Sequence, residues 1–125
     1  MMSKLFSLCL FAWFVFTTSA IAEINDSELE KIEYLKAVLA SSGCEFERNG
    51  KRYDAEQAVS HINKKYDYFR DEIDSAEEFI GLTATKSTMS GKPYYIYCPG
   101  KEKIESSAWL HDKLGVFTET ENAKR

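Results

Sequence analysis

The side chains best suited to acid–base or nucleophilic chemistry in this 125-residue chain are two histidines, His61 and His111, and three cysteines, Cys9, Cys44 and Cys98. His61 follows Val59-Ser60 and precedes Ile62, which places it at the border of an apolar helical face. His111 precedes Asp112, but neighbouring helical positions diverge, so that carboxylate is badly placed to orient the imidazole. A catalytic histidine needs a nucleophile or carboxylate within hydrogen-bond reach, and neither Gly-x-Ser-x-Gly nor His-Glu-x-x-His occurs. Both histidines therefore read as structural or surface residues first, and as a secondary candidate site second. Asp71, Glu72, Asp74, Glu77 and Glu78 form the densest acidic run. Two carboxylates can hydrolyse a sugar bond where a cleft gives them unequal environments, but these acids sit around helix starts, where capping and the helix dipole explain them without catalysis. No residue is assigned a catalytic role and no cofactor is implied. With no Cys-x-x-Cys, no metal site is expected.

The cysteines depend on where the chain matures. Lys4 precedes an apolar run, Leu5 to Phe16, and then Thr17-Thr18-Ser19-Ala20-Ile21-Ala22 ahead of Glu23. A basic start, an apolar stretch too short to span a bilayer comfortably and an Ala20-x-Ala22 site make a secretory signal, residues 1–22, with cleavage expected after Ala22. The alternative is an uncleaved anchor, which the small residues after the run disfavour. A lipoprotein is disfavoured because Leu8 rather than a small residue precedes Cys9. No second long apolar stretch follows, so no stable membrane insertion is expected after cleavage, and a bacterial periplasm is the simplest compartment. Cleavage leaves Cys44 and Cys98, which form a disulfide if the fold brings them together and otherwise stand as buried thiols. A bonded pair has no thiolate to act as a nucleophile.

Composition agrees with a single small domain. Hydrophobic residues make up 44% and charged residues 29% of the chain. Lys4 is the one charged residue before Glu23, so residues 23–125 hold 15 basic and 20 acidic residues, net −5. That balance argues against nucleic acid as a partner.

Periodicity supplies the elements. Ser27-Glu28-Leu29-Glu30 is a capping-box pattern, and Leu29, Ile32, Leu35, Val38 and Leu39 continue at helical spacing, which predicts a helix over about 28–42 ended by Gly43. Asn49-Gly50 between two β-rich runs predicts a tight hairpin with Phe46 opposite Tyr53 and Glu47 opposite Arg52. Asp54 with Gln57 starts a helix running to about Arg70, and Asp74 with Glu77 starts a shorter one. Tyr94 to Cys98 reads as a strand that stops at Pro99-Gly100. A last helix is expected from Ser107 to Leu114, ended by Gly115, with residues 118–125 a frayed polar tail. The expectation is an α+β domain over residues 23–117, order αββααβα, with a three-stranded antiparallel sheet packed with about four helices. If the last strand pairs beside Cys44, that residue and Cys98 can meet.

The loop before that strand is the first candidate for binding. Gly91 permits close backbone approach and Pro93 stiffens the exit, while Ser90, Lys92 and Tyr94 offer a hydroxyl, a cation and an amphipathic ring. Ser90-Gly91-Lys92-Pro93-Tyr94 resembles the Ser-Gly-x-x-Tyr motif of periplasmic lysozyme inhibitors, whose loop enters the enzyme's active site. Those inhibitors are β-rich, whereas this chain is mostly helical. The bland alternative is a rigid turn leading into a core strand.

A broader pattern is carried by Arg48-Asn49-Gly50, Ala58-Val59-Ser60-His61-Ile62, Ile73-Asp74-Ser75-Ala76-Glu77-Glu78-Phe79-Ile80, Ser90 to Tyr94, Pro99-Gly100-Lys101 and Leu110-His111. Together these segments resemble the YfeK-like family of small uncharacterised proteobacterial periplasmic proteins, over most of residues 26–115. The resemblance implies export and brings no catalytic residues. Cys44 and Cys98 stand where related chains carry apolar residues, so the resemblance gives them no shared role. The expected function is a non-enzymatic periplasmic domain that binds a protein or envelope component, with Ser90 to Tyr94 as its first surface. The alternatives are an inhibitor or immunity protein against a cell-wall hydrolase, and an envelope enzyme using His61 or His111.

Overall fold

Helix starts, a glycine turn and one disulfide set the architecture. The computed structural model describes residues 14–17 and 23–125. Lys4, Cys9 and the Ala20-x-Ala22 cleavage site of the expected export signal lie outside the described residues. Helix α1 spans Asp26–Ala40 and is followed by strands β1, Glu45–Arg48, and β2, Lys51–Tyr53. Helix α2, Ala55–Tyr68, leads through a 3-10 turn at Arg70–Glu72 to α3, Ala76–Thr83. Strands β3, Tyr95–Tyr97, and β4, Ile104–Glu105, precede the final helix α4, Ser106–Ala123. Among the described residues no helix is long and apolar enough to cross a membrane.

The sheet is antiparallel with order β2-β1-β3-β4. Asn49 and Gly50 adopt φ of 51° and 77°, the pair of positive angles that a two-residue hairpin turn needs. The resulting register sets Phe46 opposite Tyr53 and Glu47 opposite Arg52, as their spacing predicts. On the other side of β1, Phe46 pairs with Ile96 and Glu45 with Tyr97, so Cys44 and Cys98 flank the same end of the ladder. They form a disulfide with alpha carbons 4.2 Å apart. The expected three-stranded sheet is corrected to four strands. Strand β4 has two residues, too few for alternation to be visible, and exists because Ile104 and Glu105 pair with Ile96 and Tyr95.

Alternation along β1 and β3 buries Phe46 and Ile96, while Tyr95 and Tyr97 are half-buried. The four helices supply most of the core: Ile32, Leu35 and Leu39 from α1, Ile62 from α2, Phe79 and Ile80 from α3, Trp109 and Leu110 from α4. Burying each such side chain fully is worth about 1.5–3 kcal/mol, which outweighs local propensity where the two conflict. That conflict decides α4. Gly115 does not end it, and residues 118–123 are helix rather than a frayed tail. The cause is packing: the Phe117 ring lies 4.6 Å from that of Tyr34 on α1, and the Thr118 hydroxyl donates to the Leu114 carbonyl at 3.0 Å. An interior glycine costs about 1 kcal/mol, a loss that a half-buried aromatic contact together with its covered apolar area offsets.

Two caps also differ from expectation. Asn25, not Ser27, caps α1 by accepting the Glu28 N–H at 2.9 Å. Ser75, not Asp74, caps α3 by accepting the Glu78 N–H at 3.1 Å, and the Glu78 carboxylate reaches back to the Asp74 N–H at 2.8 Å. Each site has several adjacent capping-type residues, and which one closes the turn is set by where the chain enters the core. The Asp54–Gln57 capping box of α2 forms in both directions, at 2.8 and 3.1 Å.

Candidate functional site

Helix α2 carries His61, Lys64 and Lys65, spaced so that the three can share one face. Tyr94, just before β3, is 1% exposed and its ring packs 5.1 Å from that of Phe46. Its hydroxyl lies 3.1 Å from His61 Nε2 and accepts from Lys65 Nζ at 3.3 Å. Lys65 Nζ also donates to the Lys86 carbonyl at 2.8 Å. With hydrogen on His61 Nδ1, the chain of donors runs from Lys65 to Tyr94 to Nε2 and leaves none of these atoms unpaired. Half-buried Arg48, at the hairpin end of β1, completes the cluster and donates to the Tyr53 hydroxyl at 3.3 Å.

The electrostatics follow from burial beside like charge. Burial, and then the charges of Arg48, Lys65 and Lys64, push the His61 pKa down from the ordinary 6.5 to about 4. Burial also lowers the Lys65 ammonium, with Arg48 adding to the effect. It raises the Tyr94 phenol, with Arg48 opposing. At neutral pH the site therefore presents a neutral imidazole, a neutral phenol and three cations.

Two open clefts adjoin this cluster and share Arg48, His61 and Lys64. The one beside the hairpin is about 540 Å³ and includes Asp54 and Glu56. The one beside the 85–94 loop is about 410 Å³ and has no carboxylate among its lining residues. The loop is braced against the hairpin tip. Ser90 Oγ donates to Asn49 Oδ1 at 2.6 Å, and Asn49 Nδ2 donates to Ser87 Oγ at 3.4 Å. The Gly91 N–H donates to the Ser87 carbonyl and the Ser87 N–H to the Lys92 carbonyl, both at 2.9 Å, with Gly91 at φ 71°. Ser90, Gly91, Lys92 and Pro93 are exposed, and Met89 is 96% exposed.

The structure thus joins two of the candidates read from sequence, Tyr94 and His61, and separates the third. Tyr94 does not belong to the loop's outer surface: it shares the inward face of its strand with Ile96. His111 lies elsewhere, with Nδ1 2.7 Å from the Ser107 carbonyl and Nε2 2.5 Å from Glu77 Oε2. Cys44 and Cys98 are bonded to each other. Sequence reading missed Arg48, Lys64 and Lys65 as site residues. The signal for the two lysines was their spacing, three and four positions after His61; for Arg48 there was none short of the register. Among the described residues no group of three or more His, Cys, Asp or Glu is placed to hold a metal ion.

No solved structure matches the chain. The chain is 36% identical over 88 residues to the uncharacterised protein YfeK of Salmonella typhimurium, covering 70% of this chain and 73% of that one. A match to the family of unknown function DUF5329 spans residues 26–118, from the first turn of α1 into α4. The matched segment contains the sheet, the disulfide, the braced loop and the His61–Tyr94 pair, and the chain belongs to DUF5329.

Proposed function

We propose that this chain is an exported, non-enzymatic binding domain that presents the braced loop from Met89 to Pro93 to a protein or envelope component of the periplasm. The observation that carries the reading is the pair of hydrogen bonds between Asn49 and the loop's Ser87 and Ser90, which fix the backbone while Met89 stays 96% exposed. A recognition loop ordered before binding loses little conformational entropy on contact. Tyr94 supports the loop from beneath, so an inhibitor of a cell-wall hydrolase would have to engage its target through Met89 to Pro93 alone. The enzyme alternative has less support, because His61 meets a phenol beside a cation rather than a carboxylate and nucleophile, and His111, which does meet the Glu77 carboxylate, does so in an exposed pair with side chains 46% and 66% accessible.

Export is supported by the disulfide, which persists in oxidising compartments. N-terminal sequencing of periplasm-purified protein is expected to begin at Glu23, and an intact Met1 overturns the export reading. The binding test is capture from periplasmic extract on wild-type, Met89→Asp and Lys92→Ala protein. A stoichiometric partner held by wild type and released by both variants is expected. Equal capture by all three, or by none, overturns the loop assignment. Tyr94→Ala is unsuitable here because it opens a hole in the core.

A further inference from the structure

Residues 23–125 carry a net charge of −5, yet three cations meet where acids are missing. The six ion pairs among the described residues, a histidine pair included, all lie elsewhere, and none uses Arg48, Lys64 or Lys65. All three line the loop-side cleft of about 410 Å³, which has no carboxylate in its wall. Gathering three like charges around a part-buried imidazole is unfavourable in the empty protein, and the repulsion is relieved by whatever anion enters. The cleft is amphipathic as well. Tyr68, 80% exposed, and Met89, 96% exposed, stand at its wall beside half-buried Phe69.

We propose that the loop-side cleft is a binding site for a phosphate monoester carried on an aromatic or short apolar group. The phosphate would be held by Arg48, Lys64 and Lys65, with the body of the ligand against Tyr68 and Met89. Charge favours a dianion over a carboxylate, since one carboxylate leaves two of the three cations unmatched. The neighbouring cleft is the wrong home for the anion because Asp54 and Glu56 line it. The charged groups facing His61 are Arg48, Lys64 and Lys65, each favouring the neutral ring. An entering dianion reverses that bias, so bound ligand must raise the His61 pKa from about 4.

The experiment is a titration of the mature protein at low ionic strength, followed by the imidazole resonances of His61, with phenyl phosphate, inorganic phosphate, benzoate and phenol. Phenyl phosphate is expected to give saturable shifts and an upward move of the His61 pKa. Inorganic phosphate should bind more weakly at the same residues, benzoate more weakly than phenyl phosphate, and phenol not at all. Lys64→Gln, at an exposed position that leaves the core untouched, should weaken phenyl phosphate roughly tenfold, as losing one charge-assisted contact does. Lys101→Gln, outside the cleft, should match wild type. No saturable shift in the millimolar range, equal response to benzoate and phenyl phosphate, or full affinity in Lys64→Gln each overturns the site. Because Lys92 lies on the loop but outside the lining of this cleft, capture by Lys92→Ala reads the loop's partner alone, and failure of either proposal is visible without the other.

Discussion

At the start of α3 the carboxylates of Glu28, Glu77 and Glu78 each have a partner, whereas around the middle of α2 the cations form no ion pair among the described residues. Glu28 accepts the Ala76 N–H at 3.0 Å and pairs with Lys31 at 3.1 Å. The Ala76 hydrogen bond holds the Glu28 carboxyl below its usual range, against the opposing effect of burial. Glu77 meets His111, and Glu78 closes the start of α3. Two members of the dense acidic run, Glu77 and Glu78, are thus taken up by one cross-helix contact and one helix start. Arg48 and Lys65 are used differently: their hydrogen bonds go to phenols and a carbonyl, which satisfy donors but leave the charge unbalanced, and Lys64 beside them is exposed. The contrast separates charge that builds the fold from charge left over for a ligand.

Removing the disulfide should have the largest effect. The bond fastens the end of α1 to the end of β3 across a separation of 54 residues. A loop of that length corresponds to about 4 kcal/mol in the chain-entropy account. Urea unfolding of the Cys44→Ser, Cys98→Ser double variant should show a loss within the roughly 2–5 kcal/mol typical of small domains. A loss below about 1 kcal/mol would mean that pairing of β1 with β3 carries the junction alone.

Next in size are two hydroxyls with opposite expected signs. Tyr94→Phe removes the oxygen that satisfies both Lys65 and His61, and should cost about 1–3 kcal/mol, the range for breaking a buried polar contact. Ser106, at the start of α4, is 0% exposed and its hydroxyl has no hydrogen-bond partner among the described residues. Ser106→Ala should therefore be neutral or stabilise by up to about 1 kcal/mol. Parallel denaturant curves of the two variants check the pair, and equal losses would defeat the view that only the α2 side holds a working polar network.

Acid should act through His61 with a definite sign. Its folded pKa of about 4 lies below the ordinary 6.5, so between these values the unfolded chain binds more protons than the folded one. The stability associated with its neutral form is complete above about 6.5 and is lost as pH falls through about 4. Because the ring is only half-buried, solvent screening reduces this to about 1–2 kcal/mol, less than the full shift converts to. His61→Gln should flatten that part of the stability profile, and an unchanged slope would place the acid sensitivity elsewhere.

Local features were readable where a few neighbouring residues decide the outcome. Asn49-Gly50 specified both the turn and the register, and Asp54 with Gln57 specified the start of α2. What stayed hidden depends on distant parts of the chain. Strand β4 is defined only by its partners, and α4 passes Gly115 because Tyr34 waits on another helix. The site shows the same division. Tyr94 looks like part of a loop because it follows Pro93, although its two-residue spacing from Ile96 already places both on one strand face. His61, Lys64 and Lys65 were legible as a helical face, but the arrival of Arg48 and the missing carboxylates required the folded hairpin.

The smallest expected effect belongs to the other histidine. Glu77 and His111 make a short contact, yet their side chains are 66% and 46% exposed, so water and salt screen the pair. An exposed pair of this kind contributes about 0–0.5 kcal/mol, and Glu77→Gln keeps a hydrogen-bonding oxygen opposite the ring. The expected outcome is a change within error in urea unfolding, at both low and high salt. A loss above about 1 kcal/mol that vanishes in salt would show that charge around α3 is held in a less screened setting than its exposure implies. The distinction between charge spent on folding and charge left for binding would then fail at its acidic end, because α3 too would hold electrostatic free energy available to a ligand.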